Sequence, residues 1–500
     1  MKKEEQKAYF DKVKPLLPPA VSLKLYATHI IPFLNMKKYL MLMLFAVMSP
    51  IHALFAVDLP AIFADHMVLQ QNSAVTIWGW GKTGEEVSVT GSWNGSAVKT
   101  KADTNAKWQV KLQTPAGGGP YTLTVQGYNT ITFNDVLIGE VWLVSGQSNM
   151  EWSARMGIDH DKEEIAKANY PQIRFFSVEH RTADSPQQDL SGSWSVATPE
   201  TMQHFSAVAY FFGRELHQEL DVPIGLINSS WGGTPAEIWM QPQAIAANPV
   251  LAGAAAQLKE VPWGPVKPGK AYHAMIAPLI PYRIAGALWY QGESNTAVPH
   301  AYSEALTALI QNWREQWGYE FPFYFAQIAP FKYGRPYEGV ILRDEQRQTL
   351  SVPKTGMVVT SDIGNVEDIH PRNKLDVGKR FANIALNQTY GKKDRPVSGP
   401  LYREMKKEGN KIRIYFDHAE NGLVSKGRNL TLFEIAGQDG KFVPATARID
   451  GNTVVVSARG VKDPAAVRFA WSNTAEPNLF NKEGLPASAF RTDDWEIVMQ

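Results

Sequence analysis

The stretch Val141-Trp142-Leu143-Val144-Ser145-Gly146-Gln147-Ser148-Asn149-Met150 decides how the middle of this chain folds. An unbroken apolar run closed by small residues reads as a strand buried on both faces. It runs straight into a Gly-Gln-Ser turn. A serine after a glycine, on the loop that leaves a parallel strand, is where a sheet exposes a nucleophile to substrate. The turn is not the G-x-S-x-G elbow, because Met150 stands in the last glycine position, and this argues against an ordinary α/β-hydrolase.

Outward from that strand, residues 138–391 repeat one pattern. Apolar strands (IRFFSV, IGLINSS, AGALWYQ, FYFAQIA, MVVTSDI) alternate with amphipathic helical stretches. One helical stripe carries Phe205, Val208, Phe212, Leu216 and Leu220; another carries Leu306, Leu309, Ile310, Trp313 and Trp317; a third spans Asn373 to Gln388. This predicts an α/β domain, a parallel sheet with helices on both faces and its ligand beyond the carboxyl ends of the strands. On either side the pattern changes to short alternating strands between turn residues. Residues 57–137 (VTIWGW, EEVSVTG, KWQVKL, YTLTVQG) read as an N-terminal β-domain, and residues 398–500 (KIRIYF, NLTLFEIA, NTVVVSA, AVRFAW) as a C-terminal one. Ahead of both, the apolar run Tyr39 to Ala56 follows Lys37 and Lys38 and is interrupted by Pro50 and His52, which reads as a signal peptide over 36–56. Met36 is then the natural start, residues 1–35 an upstream extension of the gene model, and the exported protein is periplasmic or extracellular.

Composition removes several classes of function. The chain has 500 residues, with 50 Lys+Arg against 49 Asp+Glu, so it offers no basic footprint for nucleic acid or an anionic membrane. It has no Cys, which excludes disulfides, thiolate zinc, iron–sulfur clusters and a cysteine nucleophile. Neither H-E-x-x-H spacing nor a P-loop is present. No metal and no cofactor are expected, and no stable membrane insertion once the signal is cleaved.

A serine nucleophile needs a base and donors for the developing oxyanion. His370 lies in Asp362-Ile363-Gly364-Asn365-Val366-Glu367-Asp368-Ile369-His370-Pro371, after a strand and before the third helix, with Glu367 and Asp368 near enough in the loop to orient it. Two strand ends offer donors: Asn228 to Thr234, where Gly232 and Gly233 let backbone N–H groups approach a ligand, and Trp289 to Asn295, with the amides of Gln291 and Asn295. Ser294 competes with Ser148, since GESN echoes GQSN.

In this order GQSNM, SSWGGT, WYQGESN and DIHPRNK resemble the SGNH hydrolases and, more narrowly, the sialate O-acetylesterase group of carbohydrate acetylesterases. The opening LPAIF and DHMVLQ segments extend the likeness over nearly all of residues 57–500. The resemblance implies a flavodoxin-like sheet and a metal-independent serine esterase acting on acetyl esters of sugars. It implies Ser148 as nucleophile, His370 as general base, and an oxyanion hole of the Ser148 N–H with Gly232 or Gly233. The pattern departs from the superfamily in two places. Either Gln291 or Asn295 can be the side-chain donor, and Asp368, at two before the histidine, competes with Glu367, at three before it. The expected partner is an O-acetylated sugar, sialic acid or a polysaccharide such as acetylated xylan. Arg283, Arg343 and Arg372 are candidates to pair with a sialic carboxylate. A rival of another class is a carbohydrate-binding protein without catalysis. Oligomeric state is left open.

Overall fold

The computed structural model describes residues 57–497; the expected leader, 1–56, lies outside them. The element that organises the rest is a strand of 17 residues, β1 (Thr130–Gly146). Its first six residues alternate exposed and half-buried, and its last eleven are buried without a break. This follows the sequence, in which TITFND alternates and VLIGEVWLVSG does not. The first half pairs antiparallel with Gly118–Gln126 of the N-terminal β-region. The second half is the middle strand of the central sheet, covered on both faces, where a continuous apolar run is what a strand requires.

That sheet adds β2 (Tyr170–Val178), β3 (Gly192–Ala197), β4 (Ile224–Ser230), β5 (Gly286–Tyr290), β6 (Phe323–Ala326) and β7 (Thr355–Val358), in the spatial order β7-β6-β5-β1-β4-β2-β3. Strands β4, β1, β5, β6 and β7 are all parallel and take the flavodoxin-like order 2-1-3-4-5. The sheet is mixed rather than wholly parallel, because the edge strand β3 runs antiparallel to β2. The connection between them, residues 179–191, contains no helix to carry a crossover, and an antiparallel neighbour needs none.

Each predicted helical stripe forms a helix. A short turn, α1 (Ser148–Glu151), leaves β1. Helices α2 (Ala207–Leu220) and α5 (Lys374–Gln388) cover one face, packing Val208, Phe212, Leu216 and Phe381 against Trp142 and Val144. They approach closely at Gly378, where a Cβ would lie 2.6 Å from the Phe211 Cβ. On the other face α3 (Tyr302–Trp317) buries Leu306, Leu309, Ile310 and Trp313. The same core continues into Val75, Ile77, Val87, Trp108 and Leu123 of the N-terminal β-region. The expected border at 137–138 therefore falls inside β1 and inside one continuous core.

The C-terminal region forms two four-stranded sheets and a two-stranded one with their own core, into which α4 (Glu338–Gln348) inserts Val340 and Ile341. Arg343, on the same helix, is 2% exposed and donates from its guanidinium to the carbonyls of Ser472 (2.6 Å) and Asn473 (3.3 Å). It is a fastener between the two regions, so it is not available to a substrate carboxylate. Arg343→Ala is expected to lower the unfolding free energy by about 2 kcal/mol, since it removes a charged donor from two part-buried carbonyls and the packing of a buried side chain. The measurement is the urea midpoint at unchanged m-value.

Candidate active site

Three parallel strands end together, and their backbones fix the nucleophile turn. Gly146, the last residue of β1, has φ +134°, and a Cβ there would lie 2.2 Å from the Tyr290 carbonyl at the end of β5. That carbonyl accepts the Gln147 N–H at 3.0 Å, while the Gly146 carbonyl accepts the N–H of Trp231, just past β4, at 3.0 Å. Ser148 then begins α1. As the first residue of a helical turn its N–H has no intrahelical acceptor.

Ser148 is 6% exposed, and its Oγ lies 2.9 Å from the Nε2 of His370, 222 residues later. For Nε2 to accept from the serine hydroxyl, the imidazole must carry its proton on Nδ1. The imidazole stacks on Trp152 at 4.3 Å between ring centroids and 22° between planes. Burial first, and the Lys374 charge second, depress its pKa to about 3, so the ring is neutral across ordinary pH.

The two carboxylates before His370 behave differently. Asp368 Oδ1 accepts the backbone N–H of His370 at 2.9 Å and lies 4.0 Å from its Nδ1. Glu367 is turned away, exposed, and paired with Lys332. Of the two candidates, only Asp368 is brought to the imidazole.

The amides of Gln291 and Asn295 are spent within the surrounding loops. Gln291 Nε2 donates to Asn295 Oδ1 (2.7 Å) and to the Thr234 carbonyl (3.2 Å). Asn295 Nδ2 donates to both oxygens of Glu237 (3.1 and 2.9 Å). Glu237 is a buried carboxylate whose pKa burial raises. These side chains brace the loops after β4 and β5. Gly232 donates its N–H to Glu151 Oε2 at 2.6 Å. Glu151 meets His180 through its other oxygen at 3.1 Å. Gly233 has φ +72°, with Trp263 packed where a Cβ would stand.

Ser294, the rival serine, gives its backbone N–H to Gln147 Oε1 at 3.2 Å, and the Gly292 N–H reaches the same oxygen at 3.3 Å. Its loop supports the Ser148 turn; the serine brought to His370 is Ser148. Of the three arginines, Arg343 is engaged as described and Arg283 lies flat on Tyr319 at 3.6 Å. Arg372, two residues after His370, is 59% exposed, with one nitrogen on the Ile158 carbonyl at 3.2 Å. Sequence reasoning missed Glu151, His180, Trp152 and Glu237, because their partners are set by loops distant in the chain.

Known proteins carry the same pattern. The family profile "Carbohydrate esterase, sialic acid-specific acetylesterase" matches residues 138–387. The sialate O-acetylesterase of Homo sapiens is 32% identical over 455 residues, covering 81% of this chain and 86% of that protein. The Rattus norvegicus sialate O-acetylesterase is 30% identical over 485 residues, covering 82% and 88%. Among solved structures, a carbohydrate acetylesterase from Xanthomonas citri superposes with a TM-score of 0.80 at 38% identity, covering 88% of this chain and all of that one. With the motifs, the sheet order and these relatives in agreement, the chain belongs to the sialic acid-specific acetylesterase family of carbohydrate esterases, and it is a carboxylic ester hydrolase.

Proposed function

We propose that this hydrolase cleaves O-acetyl esters of carbohydrates, O-acetylated sialic acid foremost, through an acyl-enzyme on Ser148. The observation that carries the reading is the 2.9 Å contact between Ser148 Oγ and a half-buried, neutral His370 at the carboxyl ends of β1, β4 and β5. His370 takes the hydroxyl proton through Nε2 as Oγ attacks the acetyl carbon. The carbonyl π electrons move onto oxygen, held by the Ser148 N–H and the Gly233 N–H, the Gly232 N–H being engaged by Glu151. When the tetrahedral species collapses, the sugar oxygen leaves with the proton from His370. Water then gives its proton to His370, attacks the acetyl-serine and releases acetate, and the proton returns to Oγ. Asp368 supports the imidazole from the Nδ1 side.

The family and the curated relatives support sialate as the sugar. Arg372 is the arginine of the three at the rim of the site with an exposed guanidinium. Export to the periplasm or the extracellular space belongs to the same proposal; among the described residues no helix is long and apolar enough to cross a membrane.

Ser148→Ala is expected to cost at least about 10³-fold in kcat on an aryl acetate, with Ser294→Ala retaining most activity. Retained activity in the first variant removes Ser148 as nucleophile. The acid limb of kcat/KM, which reports the free base, should fall below pH 5 rather than near the ordinary imidazole value of about 6.5. The sign follows from the depressed pKa: His370 stays unprotonated, and so competent, until the solution is strongly acid. The folded state loses stability as pH falls from about 6.5 towards about 3, because the unfolded chain takes the proton first. Arg372→Ala should raise KM for O-acetylated sialic acid about tenfold, on the order of one charged hydrogen bond, and leave aryl acetate and acetylated xylan unchanged. Equal effects on all three substrates, measured as acetate release, would remove Arg372 as the sialate contact.

A further inference from the structure

Three motif residues have no part in the chemistry above: Asn149 of GQSNM, Glu293 of WYQGESN and Lys374 of DIHPRNK. In the structure they form one buried connection. Lys374 is 1% exposed, and its Nζ donates to Asn149 Oδ1 at 2.6 Å. The Asn149 amide donates in turn to Glu293 Oε1 at 2.6 Å and to the Ile369 carbonyl at 3.0 Å. Asn149 itself is fully buried, so one amide next to the nucleophile ties together the loops that follow β1, β5 and β7.

A lysine in this place works against local energetics. It is the first residue of α5, where the helix dipole repels a cation, and burial alone disfavours its charge. Burial depresses its pKa to about 7, and the Glu293 and Asp368 carboxylates oppose that depression. Its ammonium also sits 5.8 Å from the ring centroids of Trp152 and Tyr290, and Trp152 is the indole on which His370 stacks. Glu293, the carboxylate facing it from the β5 loop, is itself buried, with Oε2 lacking a hydrogen-bond partner. The groups that face the imidazole include Lys374 from α5, Asp368 from its own loop and Ser148 from α1, and Glu293 from the β5 loop faces Lys374 in turn.

We propose that Lys374 is a positioning residue for the Ser148–His370 pair: through Asn149 it holds the turn that carries the nucleophile, and its ammonium beside the Trp152–His370 stack disfavours a second cation on the imidazole. The inference rests on the Ser148–His370 reading. It gives the cation two effects, one on geometry and one on charge, and the second separates it from a residue that merely fills space.

The test compares Lys374→Met with the wild type on an aryl acetate from pH 3 to 9. The expected result is a loss of about tenfold in kcat with little change in KM, and an acid limb moved up by about one pH unit. A folded Lys374→Met enzyme with the wild-type limb and turnover overturns the proposal. Should that variant not fold, Lys374→Cys keeps the question decidable, because the chain has no other thiol. Alkylation in urea with 2-bromoethylamine forms a carbon–sulfur bond, expels bromide and rebuilds a side chain of lysine length ending in an amine. Iodoacetamide builds a neutral one of similar size and expels iodide. After refolding beside the wild type, the aminoethyl product should recover activity and the low acid limb, and the amide product should not. An amine product no better than the amide overturns the proposal. Ser148→Ala, run alongside, keeps the two readings apart: if it is inactive while the alkylated pair is indistinguishable, the esterase assignment stands and the role of Lys374 falls.

Discussion

Gly146 meets the Tyr290 carbonyl so closely that no side chain fits between them, and the placement of the nucleophile follows from that contact. With φ +134° the chain turns sharply out of β1. The neighbouring backbone bonds, Gln147 N–H to Tyr290 and Trp231 N–H to Gly146, lock the ends of β1, β5 and β4 to one another. Because these are backbone contacts, they do not depend on side-chain rotamers. The Ser148 turn is therefore held by the sheet itself, and the loops after β4, β5 and β7 have only to supply the groups that surround it.

Those loops are braced by buried amides and carboxylates rather than by apolar packing. Gln147, Asn149, Gln291, Asn295, Glu237 and Glu293 are nearly all removed from solvent and joined by direct hydrogen bonds. Burying so many polar groups is tolerated because nearly every polar atom finds a partner, Glu293 Oε2 being left without one, and the geometry they impose is correspondingly narrow. The same enclosure keeps His370 neutral and ready to accept a proton.

What the sequence makes legible is periodicity. The alternating and continuous halves of β1, the three helical stripes and the strand ends bearing motifs all express which face is buried, and burial is written in residue type. The Ser148–His370 pairing is legible because both residues lie on loops that leave the carboxyl ends of parallel strands. Partnership between polar loop residues is not. Gln291 and Asn295 have the chemistry of oxyanion donors, but Thr234 and Glu237 take their hydrogens, and neither acceptor stands near them in the chain. Spacing likewise cannot separate Glu367 from Asp368: one residue's step in an irregular loop turns the first to Lys332 and leaves the second beside the imidazole. The antiparallel β3 and the shared core of the N-terminal region escape for a similar reason, since both depend on how segments meet.

The length of β1 has an evolutionary corollary. One strand supplies a hydrogen-bond ladder to the N-terminal β-region at one end and the nucleophile turn at the other. Recombination that exchanged the β-region at the border of its sequence pattern would cut a strand in mid-ladder and open a common core. The N-terminal region and the catalytic sheet could therefore be exchanged only as one unit. The C-terminal sheets instead meet the catalytic part across α4 and keep a core largely their own, and there exchange would disturb a surface and not a strand.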